Sequence, residues 1–474
     1  MKTAALTTLI LLCVLALPEF AAAEDAFPLQ EAAKAAGLSP DAAGIFVQDP
    51  ASGRVVYAVG ADRELNPAST MKLLTTYAAL DMLGPAFTWK TEVWADGTLQ
   101  GDVLKGNLVI KGSGDPKLTL ENLWLMLRGV RNRGLKHVRG DLVLDRSAFQ
   151  DVDIDPARFD GDPTRAYNVG PDALLVNYKA VRVHLLPDPG SRAVRVILDP
   201  PLANVQVENR MTVGGGPCGD WRALIAPHLE DDGKKARLSF RGAVPASCGE
   251  RSFYLSVLGH APYTGGVFRY LWEELGGTLS GVVRDGSVGA AGKLLFAWES
   301  PTLAEVVRDI NKFSNNVMAR QLFLTLGAEA MGPPATPEKS SRAIRQWLDQ
   351  KGLSFPELVL ENGSGLSRVE RISARHLGEV LTAAYRSPVM PELMASLPVA
   401  AVDGTMRKRL RGGGVAGQAH LKTGSLDGVK SVAGYVLDAQ GRRMVVVCIV
   451  NHVGTNIAAG VLQDALLSWV YQRP

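Results

Sequence analysis

Asn66-Pro67-Ala68-Ser69-Thr70-Met71-Lys72 runs straight into Leu73-Leu74-Thr75-Thr76-Tyr77-Ala78-Ala79-Leu80, and Gly84-Pro85 follows close behind. A proline before the start, a run of helix formers and a Gly-Pro stop predict a helix opening at about Ser69. Ser69 and Lys72 lie three apart, on one face of that helix and one turn from each other. The spacing brings an amine within reach of a hydroxyl. If burial and a second cation depress the lysine, its neutral amine becomes able to take the serine proton. By itself Ser-x-x-Lys is common, and it reads equally well as a helix start followed by a solvated lysine. Its partners decide its meaning.

Immediately upstream, 44–49 and 54–59 read as two strands joined by the turn Pro50-Ala51-Ser52-Gly53, and Leu29 to Ala36 is a short helical stretch. Downstream, near Trp94-Ala95-Asp96-Gly97, the pattern changes to short strands with many Gly, Pro and Asp turns. That character persists to about Gly292, with helices only at 120–133 and 266–275, and has no fixed period. Residues 95–292 therefore read as an inserted, β-rich domain or domains, roughly two hundred residues long. Helical patterns return at 302–312, 317–326, 340–350 and 375–385, followed by strands at 420–424, 430–437 and 443–450 and a closing helix at 456–471. The fold class is α/β (α+β): residues 24–94 and 293–474 form one unit, whose N-terminal hairpin and C-terminal strands build an antiparallel five-stranded sheet with helices packed on it.

The chain of 474 residues is long enough for two or three domains, and 46% hydrophobic with 21% charged residues excludes wholesale disorder. A net charge of +3 is too small to argue for nucleic acid or a membrane surface. The histidines are scattered, and neither a Cys/His metal cluster nor a phosphate-cradling loop is visible. No cofactor and no metal are expected, which leaves a cofactor-free enzyme or a binding protein. Met1-Lys2, the apolar run Ala4 to Leu17, Pro18 and Ala21-Ala22-Ala23 read as a signal peptide over residues 1–23, cleaved near Ala23. Cys13 lacks a small residue before it, so neither a lipid nor any other membrane anchor is expected, and the product should be exported and periplasmic. In an oxidising compartment Cys218 and Cys248, both in turn-like contexts, are natural disulfide partners. Cys448, within Met444-Val445-Val446-Val447-Cys448-Ile449-Val450, reads as a buried, unpaired strand residue.

Two further motifs follow in order: Ser314-Asn315-Asn316 between helical stretches, and Lys422-Thr423-Gly424 on a strand. Ser-x-x-Lys, Ser-x-Asn and Lys-Thr-Gly in this order are the signature set of the penicillin-binding proteins and serine β-lactamases. The interval from Lys72 to Ser314 is far too long for a compact β-lactamase. The mature chain resembles the low-molecular-mass class C penicillin-binding proteins, the D-alanyl-D-alanine carboxypeptidase/endopeptidases that trim peptidoglycan. The stretches Tyr167 to Asn177 and Asn362-Gly363-Ser364-Gly365-Leu366-Ser367, and the Cys218/Cys248 pair, share in that resemblance. It implies a β-lactamase/transpeptidase-like domain with a large two-part insertion.

It also implies the chemistry. Ser69 attacks the carbonyl of the penultimate D-alanine of a peptidoglycan peptide and forms an acyl-enzyme; β-lactam antibiotics acylate the same serine. Lys72 is the general base, Ser314 relays a proton to the departing amine, and Asn316 orients Lys72 and the substrate amide. Lys422, Thr423 and Ser425 bind the substrate carboxylate, and Gly424 permits close approach of substrate to the strand. The backbone N–H groups of Ser69 and Ser425 form the oxyanion hole. A β-lactamase or esterase using the same site, and a binding protein with a vestigial one, are the competing readings. Arg407-Lys408-Arg409-Leu410-Arg411 reads as a solvated basic loop and His420 as a strand-face residue. Asp160 and Asp162 are candidates to reach the cleft from the insertion and read a substrate amine.

Overall fold

The computed structural model describes residues 27–150, 155–453 and 456–473. The signal peptide expected over residues 1–23 lies outside them.

The expected five-stranded antiparallel sheet is present, in the order Ala419–Leu426, Val429–Leu437, Arg443–Asn451, Ala43–Gln48, Val55–Val59. Its middle strand explains the unbroken apolar run around Cys448. Successive side chains of a strand point to opposite faces, so a strand covered on both sides is apolar throughout. Val445, Val447 and Ile449 enter one core, while Met444, Val446, Cys448 and Val450 enter the other. The second core is closed by the N-terminal helix Leu29–Ala35 and the C-terminal helix Asn456–Gln472, through Leu29 and Ala33 and through Leu462, Leu466 and Val470. The first is closed by helices Lys72–Leu83, Leu303–Phe313, Asn316–Met331, Pro337–Gln350 and Ala374–Tyr385. The result is three layers, helices on sheet on helices. Lys72–Leu83 lies deep in the first core, with every residue from Lys72 to Leu80 buried.

The insertion is built on two sheets that share one core. The seven-stranded sheet begins with Lys90–Gln100 and ends with Lys293–Glu299, and these two strands pair antiparallel, Lys90 opposite Glu299 and Ala95 opposite Lys293. Chain entry and chain exit are thus neighbouring strands. Sheet membership carries the insertion a few residues outward from the expected edges at 95 and 292, because the entry strand is already committed to its exit partner before Trp94. The six-stranded sheet contains the strands from Val181–Asp188 to Arg251–Leu255. Helices Leu120–Asn132 and His260–Glu274 accompany the pair, the latter starting earlier than its apolar pattern because His260, Ala261 and Pro262 form its first turn.

The insertion grips one particular helix of the core unit. Gln321, fully buried on Asn316–Met331, accepts from the Asp172 backbone N–H at 2.8 Å and donates to the Asp172 and Gly114 carbonyls at 2.8 and 3.2 Å. Its sequence neighbour Arg320 donates to the carbonyls of Asn168 and Val169. The Tyr167 to Asn177 stretch therefore fastens the insertion to the helix that begins at Asn316.

Cys218 and Cys248 are disulfide-bonded, with 30 residues of sequence separation, and Cys448 is a buried free thiol whose pKa burial pushes up to about 12. Peptide mapping without reductant should recover Cys218 joined to Cys248, while Cys448 resists alkylation until the protein unfolds. Replacing both paired cysteines by serine should lower the stability of the inserted part by about 3 kcal/mol, the chain-entropy value for a loop of this length. Free Cys218 and Cys248 in exported protein would contradict this.

Candidate active site

Three segments meet at Ser69. The first is its own turn: Ala68–Met71 is a 3-10 turn that runs into the helix Lys72–Leu83, so the helix expected to open at Ser69 begins as one tighter turn. Ala68 has a φ of 45°, a conformation that a non-glycine residue keeps only under constraint. Hydrogen bonds supply the constraint. Ala68 N–H donates to Asn66 Oδ1 at 2.9 Å, and Asn66 Nδ2 to the Ser367 carbonyl at 2.8 Å. Asn451 holds the Asn66 backbone from both sides, accepting from its N–H and donating to its carbonyl. Thr70 Oγ1 and Ser431 Oγ both donate to the Pro67 carbonyl, at 2.7 and 2.6 Å.

Lys72 is fully buried, with Nζ 3.0 Å from Ser69 Oγ and 2.6 Å from Asn316 Oδ1, and it also bonds the Ser364 carbonyl. Burial drives its pKa well below the ordinary lysine value; the Lys422 and Arg320 charges push the same way and Glu370 opposes them. An uncharged amine has two N–H donors and one lone pair, and a carbonyl oxygen can only accept. Asn316 Oδ1 and the Ser364 carbonyl take the two donors. The lone pair is left for the Ser69 hydroxyl proton.

The second segment is the break between helices Leu303–Phe313 and Asn316–Met331. Ser314 sits there in left-handed conformation, φ 56°, as the C-cap of the first helix. Asn315 caps the second, its Oδ1 accepting from the Met318 N–H at 3.1 Å. The three motif residues divide the labour: Ser314 turns the chain, Asn315 starts the next helix, and Asn316 reaches Lys72.

The third segment is the strand Ala419–Leu426. Lys422 is fully buried, its Nζ 2.8 Å from Ser314 Oγ and 2.7 Å from the Thr423 carbonyl, and burial lowers its pKa to about 7. Lys72 feels burial together with the Lys422 and Arg320 charges, whereas burial alone acts on Lys422. Thr423 and Ser425 alternate along the strand and so share its more exposed face. Gly424 also has close neighbours within the protein. A Cβ there would stand 2.8 Å from the Pro67 carbonyl oxygen and 2.9 Å from Ser69 N, and would overlap Ser431 Oγ. Gly424 thus permits the close approach of the Ser69 turn.

The structure brings Ser69, Lys72, Ser314, Asn316 and Lys422 together as two adjoining hydrogen-bonded sets, Lys72 with Ser69 and Asn316, and Lys422 with Ser314, with Thr423, Gly424 and Ser425 beside them. Several participants escape sequence reading. The Ser364 carbonyl is a backbone acceptor delivered from 292 residues away. Buried Glu370 organises its loop, one oxygen accepting the N–H groups of Glu361, Asn362 and Gly363. Thr405 Oγ1 lies 2.7 Å from Thr423 Oγ1. The only sequence signal for Ser431 and Asn451 is a polar side chain within or ending an apolar strand.

Among the remaining candidates, His420 is half-buried beside the Met394 carbonyl, 3.2 Å away. The basic loop is solvated at Arg407, Lys408 and Arg411, but Arg409 is not. Its Nε is 3.0 Å from Asp464 Oδ1, which ties the loop to the C-terminal helix. Asp160 accepts from Arg165, Tyr167 and Asn168, and Asp162 from Thr164 and Arg165. Both carboxylates are thus engaged inside their own loop. Neighbouring Phe159 packs against Ala68, Leu366, Leu426 and Val429, so this loop of the insertion abuts the Ser69 turn.

Comparison with known proteins follows the same lines. The profile of the D-Ala-D-Ala carboxypeptidase 3 (S13) family matches residues 28–470. The D-alanyl-D-alanine carboxypeptidase of Actinomadura sp. (strain R39) is 30% identical over 439 residues, spanning 89% of this chain and 80% of the relative. Penicillin binding protein 4 from Haemophilus influenzae shares the fold with a TM-score of 0.79 at 24% identity, covering 94% of this chain and 99% of that one. A penicillin G-acylated predatory endopeptidase from Bdellovibrio bacteriovorus superposes with a TM-score of 0.53 at 15% identity, over 90% and 91% of the two chains.

Gly365 connects the Ser69 turn to the loop that holds Lys72. Its φ is 75°, and a Cβ there would overlap the Ala68 carbonyl. Gly365→Ala should therefore cost more than about 2 kcal/mol of stability and lower D-alanine release at least tenfold, since the Ser69 turn must shift. Calorimetry and steady-state assay of the variant check both. A variant with wild-type melting and wild-type rate would contradict the packing described.

Proposed function

This chain belongs to the D-Ala-D-Ala carboxypeptidase 3 (S13) family and is a serine-type D-alanyl-D-alanine carboxypeptidase; from that premise we propose that it acts through an acyl-enzyme on Ser69, with Lys72 as base, and that it opens peptide cross-links by the same route. The observation that carries the mechanism is the buried, depressed Lys72 amine 3.0 Å from Ser69 Oγ, with its other two bonds directed at carbonyls.

In this reading the Lys72 lone pair removes the Ser69 proton as Oγ attacks the carbonyl of the penultimate D-alanine. Charge develops on the carbonyl oxygen, and the backbone N–H groups of Ser69 and Ser425 are the donors suited to hold it. The C–N bond breaks as the leaving amine takes up, through Ser314, the proton that Lys72 removed from Ser69, which leaves Lys72 neutral again and Lys422 charged. Water, deprotonated by Lys72, then releases the acyl group. Lys422, Thr423 and Ser425 hold the terminal carboxylate of a carboxypeptidase substrate. Both hydrolysis of a terminal D-alanine and cleavage of a cross-link expel an amine from a D-alanine carbonyl, so one site serves both. The relatives named as penicillin-binding and as penicillin G-acylated support covalent reaction of Ser69 with β-lactams. The expected signal peptide supports export; no helix among the described residues is long and apolar enough to cross a membrane.

Intact mass after exposure to penicillin should show one stable adduct on the wild-type protein and none on Ser69→Ala. An adduct surviving in Ser69→Ala would sink the nucleophile assignment; rapid turnover of the drug would favour a β-lactamase.

A pH dependence follows from Lys422. Its folded pKa is depressed to about 7, so its charge is present below that value and lost above it in the free enzyme. KM for a peptide ending in a free carboxylate should rise as pH passes about 7, while a substrate amidated at that position shows no such rise. Parallel KM profiles for the two substrates would contradict carboxylate binding by Lys422.

A further inference from the structure

The loop from Asn362 to Val369 has two sides. One packs on the Ser69 turn, where Leu366 meets Ala68. The other faces a cleft of about 860 Å³, closed by helices Asn316–Met331 and Pro337–Gln350 and by the inserted segment from Asp155 to Asn168. The volume suits a ligand of several residues or a small molecule. Its floor is apolar, with Phe159, Phe323, Leu324 and Leu366, and its walls carry five arginines against three carboxylates, Asp155, Glu338 and Glu361. Of the arginines, Arg158 is paired with Glu361 at 3.7 Å. The remaining four make no ion pair among the described residues. Arg342 contacts Met331 Sδ, Arg345 bonds the Leu358 carbonyl, and Arg368 donates to the Asp427 carbonyl.

Arg320 is the most informative of the four. It is only 9% exposed, and Nη1 alone is used, donating to the Asn168 and Val169 carbonyls at 3.3 and 2.9 Å. Desolvation lowers its pKa to about 10. Burial of this guanidinium is costly; Glu370 and Glu361 offset part of that cost without an ion pair, and an anion entering the cleft would offset more. Nε and Nη2 have no protein partner among the described residues, which leaves them free for such an anion. The planar guanidinium fork matches a carboxylate in both geometry and charge.

We propose that this cleft receives the second peptide strand of a cross-linked substrate, an acidic segment whose carboxylates are held by Arg320, Arg342 and Arg345 and whose apolar parts lie on Phe159 and Phe323. The assignment rests on the reading above that the enzyme opens cross-links. It gives the insertion a part in substrate binding, since its Asp155 to Asn168 segment forms one wall of the cleft and the helix that begins at Asn316 forms another. The Asn362 to Val369 loop is common to both sites, so a strand seated in the cleft lies against the loop that supports Lys72 and Ser69.

The test uses full-length Ser69→Ala protein, which binds peptide without consuming it. Two fluorescently labelled pentapeptides serve as probes, one with two free side-chain carboxylates and one with both amidated. The acidic peptide should bind at least tenfold more tightly than its amidated twin. Arg342→Glu should reduce that binding about tenfold and leave the amidated peptide unaffected; Arg320→Gln, judged only where its melting curve matches the parent, should reduce it further. In the active enzyme, Arg342→Glu should raise KM for an acidic cross-linked dimer about tenfold. Its kcat, its rate on a short D-Ala-D-Ala peptide without side-chain carboxylates, and its penicillin acylation should be unchanged. Equal binding of the two peptides, indifference to Arg342→Glu, or equal loss on dimer and short peptide would each overturn the assignment. A wild-type enzyme that leaves cross-links intact, while arginine-dependent peptide binding persists, would overturn the cross-link reading and keep the cleft as an acidic-peptide site.

Discussion

A lysine ammonium buried without a paired anion is unstable by several kcal/mol, and the cheapest escape is to lose the proton. Lys72 is held in that position. Its helix lies deep in the core, its amine meets two carbonyl oxygens and one hydroxyl, and the charges that act on it include Lys422 and Arg320. Glu370, the one anion that acts on it, is itself buried, with its pKa raised by desolvation and one oxygen committed to three backbone N–H groups. The large apolar core around Lys72–Leu83 thus has an electrostatic consequence as well as a structural one: it lowers the Lys72 pKa, as the proposed role of base requires.

Everything near the base is arranged to hold its three partners still. The Ser69 turn is strained at Ala68 and pinned through Asn66, Asn451, Thr70 and Ser431. Asn316 is held at the first turn of a helix that Asn315 caps and that the insertion clamps through Gln321. The Ser364 carbonyl is presented by a loop ordered on Glu370. Replacing any of these supports moves a hydrogen-bond partner of Lys72 without touching Lys72 itself. The insertion therefore belongs to the mechanical support of the site, and remote changes in 167–173 bear on the chemistry.

The five-stranded sheet, the helix after Ser69 and the three motifs were legible because each rests on a local rule. Period-two burial marks the strands around Cys448, three-residue spacing marks Ser69 and Lys72, and the order of the motifs ties them into one site. What stayed hidden is of two kinds. Backbone acceptors such as the Ser364 carbonyl have no residue signature, and their arrival depends on a loop far away in sequence. Local hydrogen bonding also redirects residues whose type suggests function: Asp160 and Asp162 are absorbed by Arg165 and Tyr167, Arg409 by Asp464, and the space beside Gly424 is taken by the Ser69 turn. The pairing of Lys90–Gln100 with Lys293–Glu299 is of the same kind, a contact that no local window contains.

The proposed mechanism requires Lys72 to rest as a free amine with its lone pair on Ser69. Its most direct measurement is nitrogen-detected NMR of protein labelled at lysine Nζ, with the Lys72 resonance assigned by its loss in Lys72→Arg. A neutral-amine signal is expected for Lys72 at pH 7, shifting to the ammonium position only at a pH well below the ordinary lysine range. An ammonium signal persisting to about pH 10, the value of an unperturbed lysine, would contradict it.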